Sequence, residues 1–184
     1  RRSSGPVDLR ELVSDAAADA RAVQPDRAVA GPDPGPPVVV EGDEARLRQV
    51  VGNLVSNVLV HTPPEAGLQL GTSVDGDDGV VTVSDDGPGL TADQAAHIFD
   101  RFYRADETRS RAAGGSGLGL AIVSALVAGH GGTVSLDTAP GEGATFTVRI
   151  PLAGREIPID LAIDPNVRLA VRARATCWRS NSAS

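Results

Sequence analysis

The chain has 184 residues, 41% of them apolar, a formal net charge of -7 and a single cysteine, Cys177. That length suits one domain with a sizeable core. The acidic balance argues against nucleic acid as the main partner, and one cysteine excludes an internal disulfide framework or a cysteine-rich metal site.

In chain order, residues 7–22 (VDLRELVSDAAADARA) begin as a short strand and become a helix, with Leu9, Leu12, Val13, Ala16 and Ala20 on one face. The run GPDPGPP is a loop that no helix can cross, followed by a short apolar strand at 38–40. Asp43 stands at an N-cap position. From 44 to 61, Leu47, Val50, Val51, Leu54, Val55 and Val58 recur at spacings of three and four, an amphipathic helix ended by Thr62-Pro63-Pro64. GLQLGTSVDG and GVVTVSDDG flank a turn at 76–79 and read as a hairpin. A short helix begins at Thr91, and a long charged connection covers 98–117, the kind of segment that is functional or disordered. A helix over 117–129 and two strands around a Pro-Gly turn close the pattern at Leu152. Residues 153–184 form an unassigned tail with the character of a disordered segment. No apolar run approaches the roughly 20 residues that span a bilayer, so no membrane contact is expected of this chain.

Four stretches carry chemistry. On the helix over 44–61, Gln49, Asn53, Asn57 and His61 are spaced by four and line one polar stripe, either a solvated face or a ligand-facing one. VSDDGPGL ends an alternating strand in a Gly-Pro-Gly turn, which alone is compatible with a plain strand-to-helix connection. IFDRFYR holds two of the three Phe and the only Tyr, compatible with a satellite hydrophobic cluster. The fourth stretch, GGSGLGLAIV at 114–123, suggests a phosphate loop. It lacks the Lys-Ser/Thr pair of a P-loop, and no strand precedes it as a dinucleotide fingerprint requires.

The order of these stretches resembles the catalytic ATP-binding domain of bacterial sensor histidine kinases. RLRQVVGNLVSNVLVHT is similar to that family's N box, DDGPGL to its G1 box, IFDRFYR to its F box and GGSGLGLAIV to its G2 box, while VDLRELV and GEGATFTVRIPL resemble the domain's two ends. The resemblance covers residues 7–152, leaving 1–6 as a linker remnant. It implies an α/β two-layer sandwich: a mixed, mainly antiparallel sheet with three helices on one face and an ATP lid over about 91–116.

The resemblance also implies roles. Asp85 would accept a hydrogen bond from the adenine amine, with Thr145 behind it, and Gly87 and Gly89 would let backbone approach the nucleotide. Asn57 would give its amide oxygen to Mg²⁺. Asn53 would stand where hydrolysing relatives carry a glutamate base, which suits transfer to a protein histidine over transfer to water. Arg104 would neutralise phosphate charge, with Arg101, Arg109 and Arg111 as weaker candidates. Gly115, Gly117, Leu118, Gly119 and Leu120 would line the phosphates, and His61 would stand in for a cation the family usually has at the position of Val60. Arg104 and Asn53 are thus the expected catalytic residues, and ATP and Mg²⁺ the expected cofactors.

The family's phosphoacceptor box is missing, because none of His61, His97 or His130 has its context. The expected acceptor is therefore a histidine domain of a dimeric parent, N-terminal to Arg1, with a response regulator downstream. The expected setting is a cytoplasmic domain of a membrane-anchored bacterial sensor. An anti-sigma-factor-type serine kinase and a non-catalytic ATP-binding regulatory module remain as alternatives.

Overall fold

The computed structural model describes residues 4–101, 103, 117–154 and 170–173. Strand β1 (Gly5–Asp8) leads straight into helix α1 (Leu9–Val23), whose N-cap is Asp8: its Oδ1 accepts from the Arg10 amide at 2.9 Å and from the Val38 amide at 3.0 Å. One carboxylate thus caps the helix and ties it to the chain entering β3 (Val39–Gly42), which pairs antiparallel with β1. This two-stranded ladder, and the two-residue strand β2 (Val29–Ala30) just before the Pro/Gly-rich stretch, are not expected from local pattern. On α1 the buried face is Leu9, Leu12, Val13, Ala17 and Ala20, with Ala16 only partly buried against the core.

Helix α2 (Glu44–His61) is built as its sequence dictates. Asp43 caps it through the Arg46 amide at 3.2 Å, its six periodic Leu and Val residues are all buried, and Thr62 ends it before the two prolines. Strands β4 (Leu68–Asp75) and β5 (Asp78–Asp85) form the expected hairpin, with Asp75 opposite Asp78. Helix α3 (Ala92–His97) opens with a capping box between Thr91 and Gln94. Helix α4 (Gly119–Gly129) and the hairpin of β6 (Thr133–Thr138) and β7 (Ala144–Pro151) complete the domain.

The main sheet has the order β2-β4-β5-β7-β6-β8, where β8 is Ala170–Ala173. Its outer pairings, β2 with β4 and β6 with β8, are parallel and the inner ones antiparallel. The expected mixed, mainly antiparallel sheet is present, and four residues of the tail join its edge. Alternate residues of the strands, among them Leu70, Val83, Leu136, Phe146 and Val148, share one continuous core with the buried stripes of α1, α2 and α4. Each fully buried Leu or Phe in such a core contributes about 1.5–3 kcal/mol relative to exposure. Phe99 of the IFDRFYR stretch belongs to that core: it is 7% exposed and meets Phe146 edge-on at 6.2 Å. The aromatic segment is therefore anchored on the sheet at its start and is not a satellite cluster. No described helix is long and apolar enough to cross a membrane.

Candidate functional site

Asp85 is the last residue of β5, on the sheet face that carries the core, at the point where the strand gives way to the Asp86–Leu90 turn. Its Oδ1 accepts from the Gly87 amide at 2.9 Å. Burial pushes the Asp85 carboxyl above its ordinary 3.8, and the adjacent Asp86 charge pushes the same way. The backbone of Gly87 and Ala144 and the positive charge of Arg27 oppose that shift. The result is a half-buried carboxylate aimed by backbone.

The turn that carries Asp85 interlocks with the turn between β6 and β7. Gly89 has φ +66°, and a Cβ there would lie 1.9 Å from the carbonyl oxygen of Ala139. Gly143 returns the contact: its Cβ would lie 2.0 Å from the carbonyl oxygen of Asp85. Only glycine permits both approaches. The two turns are stitched by the Gly141 amide donating to Pro88 O at 2.7 Å and by Thr138. The Thr138 hydroxyl accepts from the Leu90 amide at 3.0 Å and donates to Gly143 O at 2.7 Å, and the residue is 3% exposed.

The polar stripe of α2 is half-buried at Asn53 and Asn57 and exposed at His61. Asn53 Nδ2 donates to the Gly119 carbonyl at 3.2 Å, tying the stripe to the first turn of α4. At the other end, Thr62 packs against Gly87, with its Cγ2 2.9 Å from the place a Gly87 Cβ would take. The stripe therefore runs from the start of α4 toward the Asp85 turn. Helix α4, with Leu118 at its N-cap position, has no side-chain cap among the described residues and no acidic residue in its first turn, so its first amides can face a ligand. Gly117, Leu118 and Gly119 are half-buried there, whereas the Leu120 side chain is in the core, so only its backbone can face a ligand.

One expectation is corrected. Thr145 does not stand behind Asp85: in the register Asp85 faces Ala144, and Thr145 is on the opposite face of the sheet, where its hydroxyl meets Ser84 Oγ at 3.0 Å. The alternation of Phe146, Val148 and Ile150 inward places Thr145 outward, a signal present in the sequence. His130 has a structural place: its Nδ1 is 2.7 Å from Leu126 O and its Nε2 accepts from the Asp43 amide at 3.1 Å. Arg104 and Gly115, with Arg109 and Arg111, lie outside the described residues. Two residues that sequence reasoning missed are Thr138 and Arg27. Thr138 is a polar residue on the inward face of β6, after Val134 and Leu136, and that misplaced polarity was readable; nothing local marks Arg27.

Among the described residues no group of three or more His, Cys, Asp or Glu side chains could hold a metal ion. Asn57 offers one hard amide oxygen on the stripe, a donor set that fits Mg²⁺ held mainly by phosphate and water.

Residues 42–154 match the family described as histidine kinase-, DNA gyrase B-, and HSP90-like ATPase. The probable sensor histidine kinase TcrY of Mycobacterium tuberculosis is 47% identical over 150 residues, which is 82% of this chain and 31% of that protein. Sensor histidine kinase TrcS of the same organism is 39% identical over 156 residues, 82% of this chain and 30% of that protein. The chain thus spans about a third of the length of these curated relatives. Among solved structures, the ATP-binding domain of PrrB from Mycobacterium tuberculosis superposes with a TM-score of 0.65 at 31% identity, covering 82% of this chain and 98% of that one. Full-length ShkA in complex with AMPPNP gives a TM-score of 0.66 at 33% identity over 86% of this chain and 33% of that one.

Proposed function

The chain belongs to the family of histidine kinase-, DNA gyrase B- and HSP90-like ATPases, as the ATP-binding catalytic domain of a bacterial sensor histidine kinase, and on that premise we propose that it binds Mg²⁺-ATP and donates the γ-phosphate to a histidine on a separate phosphoacceptor domain of its parent. The observation that carries the reading is Asp85, a half-buried carboxylate held by the Gly87 amide between two interlocked glycine turns. A carboxylate so placed accepts from the exocyclic amine of adenine, a donor that guanine lacks at that position, and specificity follows from pairing a buried polar group. The uncapped amides at the start of α4, with Gly117, Leu118 and Gly119, face the phosphates in this reading, and His61 lies one turn beyond Asn57, toward the Asp85 end of the stripe.

Asn57 would hold Mg²⁺, which when bound neutralises phosphate charge. Asn53 is an amide, not a carboxylate, and its nitrogen is engaged by the Gly119 carbonyl. It does not serve as a strong base toward water, which favours a protein nucleophile. In the transfer an imidazole nitrogen of the acceptor histidine attacks the γ-phosphorus. A P–N bond forms as the bond from that phosphorus to the bridging oxygen breaks, and ADP leaves with the electron pair. For Arg104 and Gly115 the proposal rests on the motifs alone. The same reading makes residues 7–152 the catalytic unit with a lid over about 91–116, a response regulator the downstream partner, and the parent a membrane-anchored sensor with this domain in the cytoplasm.

The test mixes the chain with γ-labelled ATP and a separately produced phosphoacceptor-helix domain. Acid-labile label on the acceptor histidine is the expected result. Acid-stable label on serine would instead identify a serine kinase of the anti-sigma-factor type, and ATP binding without transfer a regulatory module.

A further inference from the structure

Arg27 follows α1 and has no assigned role, yet it is 4% exposed. Its guanidinium makes four hydrogen bonds to neutral partners: Nε to Gln24 Oε1 at 2.6 Å, Nη1 to Thr62 Oγ1 and to Ala66 O at 2.8 Å each, and Nη2 to Thr62 O at 3.2 Å. A buried cation is costly to desolvate, so its burial against hydroxyl, amide and carbonyl groups calls for a reason beyond stability.

The partners supply one. Thr62 is the C-cap of α2, where the helix presents unpaired carbonyls and the negative end of its dipole. The Thr62 side chain is also what abuts Gly87, the residue whose amide aims Asp85. Ala66 is followed by Gly67, whose amide donates to Asp86 Oδ1 at 2.5 Å. Both ends of the 62–67 connection thus press on the Asp85–Gly87 turn, from Thr62 on one side and through Asp86 on the other. Arg27 holds both ends at once, which the planar fork of five donors on one side chain makes possible.

We propose that Arg27 is the positioning residue of the adenine-reading turn, clamping residues 62–66 so that Gly87 and Asp85 keep their aim. The proposal rests on the reading of Asp85 as the adenine acceptor. The positive charge of Arg27 also favours the ionised form of Asp85, the form that accepts two hydrogen bonds, against the burial that disfavours it.

The experiment is titration calorimetry of the full chain with Mg²⁺-ATP and with Mg²⁺-GTP, for wild type, Arg27→Met, Arg27→Lys and Thr62→Val, each checked for native circular dichroism. Wild type should prefer ATP. A wild type without that preference fails the reading of Asp85, and the proposal with it. Given the preference, Arg27→Met should lower the ATP-to-GTP affinity ratio about tenfold or more and Thr62→Val about threefold, while Arg27→Lys should fall between wild type and Arg27→Met, because one ammonium keeps the charge but cannot reach Gln24, Thr62 and Ala66 together. A merely structural loss would weaken both nucleotides alike. A folded Arg27→Met with the wild-type ratio overturns the proposal. If Arg27→Met does not fold, Thr62→Val decides: an unchanged ratio overturns the proposal and a reduced one supports it.

Discussion

Replacing Thr138 by valine isolates one hydroxyl that joins the two turns of the site. Valine keeps the shape of the side chain, so the packing of β6 on the core is retained, but the Leu90 amide and the Gly143 carbonyl lose their partner together. Gly143 is buried and Leu90 half-buried, so water can repair the loss at the Leu90 amide better than the loss at the Gly143 carbonyl. At about 1–3 kcal/mol for each polar group left unpaired, with the half-buried one at the low end, the expected destabilisation is about 2–3 kcal/mol. For a domain of this size that lowers Tm by roughly 5–10 °C. Thr138→Ser is the control, since it keeps the hydroxyl and loses only a methyl, worth about 1 kcal/mol. Thermal unfolding followed by circular dichroism reads the stability, and ATP titration reads the consequence for the site. A valine variant that melts within about 1 °C of wild type, or no lower than the serine variant, would refute the reasoning that this hydroxyl holds the turns together.

Asp85→Asn should abolish adenine recognition and yet raise the stability of the nucleotide-free chain at neutral pH. Burial raises the Asp85 carboxyl above 3.8, so the stability it contributes is fully present below that value and lost as pH rises through the folded value. The advantage of asparagine in thermal melts should therefore shrink as pH falls from 7 toward 4; an advantage that grows with acidity would contradict the assignment. Asn57→Ala should weaken ATP binding roughly tenfold with Mg²⁺ present and leave binding in EDTA unchanged, since one metal ligand is lost; an equal loss in both conditions would remove the metal role. Gly89→Ala combines a left-handed backbone, about 1–2 kcal/mol for an L-residue, with a Cβ 1.9 Å from Ala139 O, so it should fail to fold or melt far below wild type. A soluble variant with wild-type urea midpoint would show that the two turns are not locked.

The sequence by itself determined helix α2 almost completely. Asp43 as cap, six apolar residues at helical spacing and two prolines at the end are local signals, and each side chain of that stripe is buried where the spacing puts it. It also determined the β4–β5 and β6–β7 hairpins and the order of the four motifs, because turns and alternation are written in neighbouring residues. Tertiary structure decided which face of β7 meets Asp85, and there Ala144, not Thr145, stands opposite. It decided that β1 pairs with β3 and that Val29 and Ala30, just before the Pro/Gly stretch, form the edge strand β2, since pairing partners dozens of residues apart leave no local mark. It also decided that an arginine in a loop is buried between Gln24, Thr62 and Ala66 and that a strand threonine joins two glycine turns. Periodicity specifies which side of an element is apolar; what a buried polar group bonds to depends on where the rest of the chain arrives.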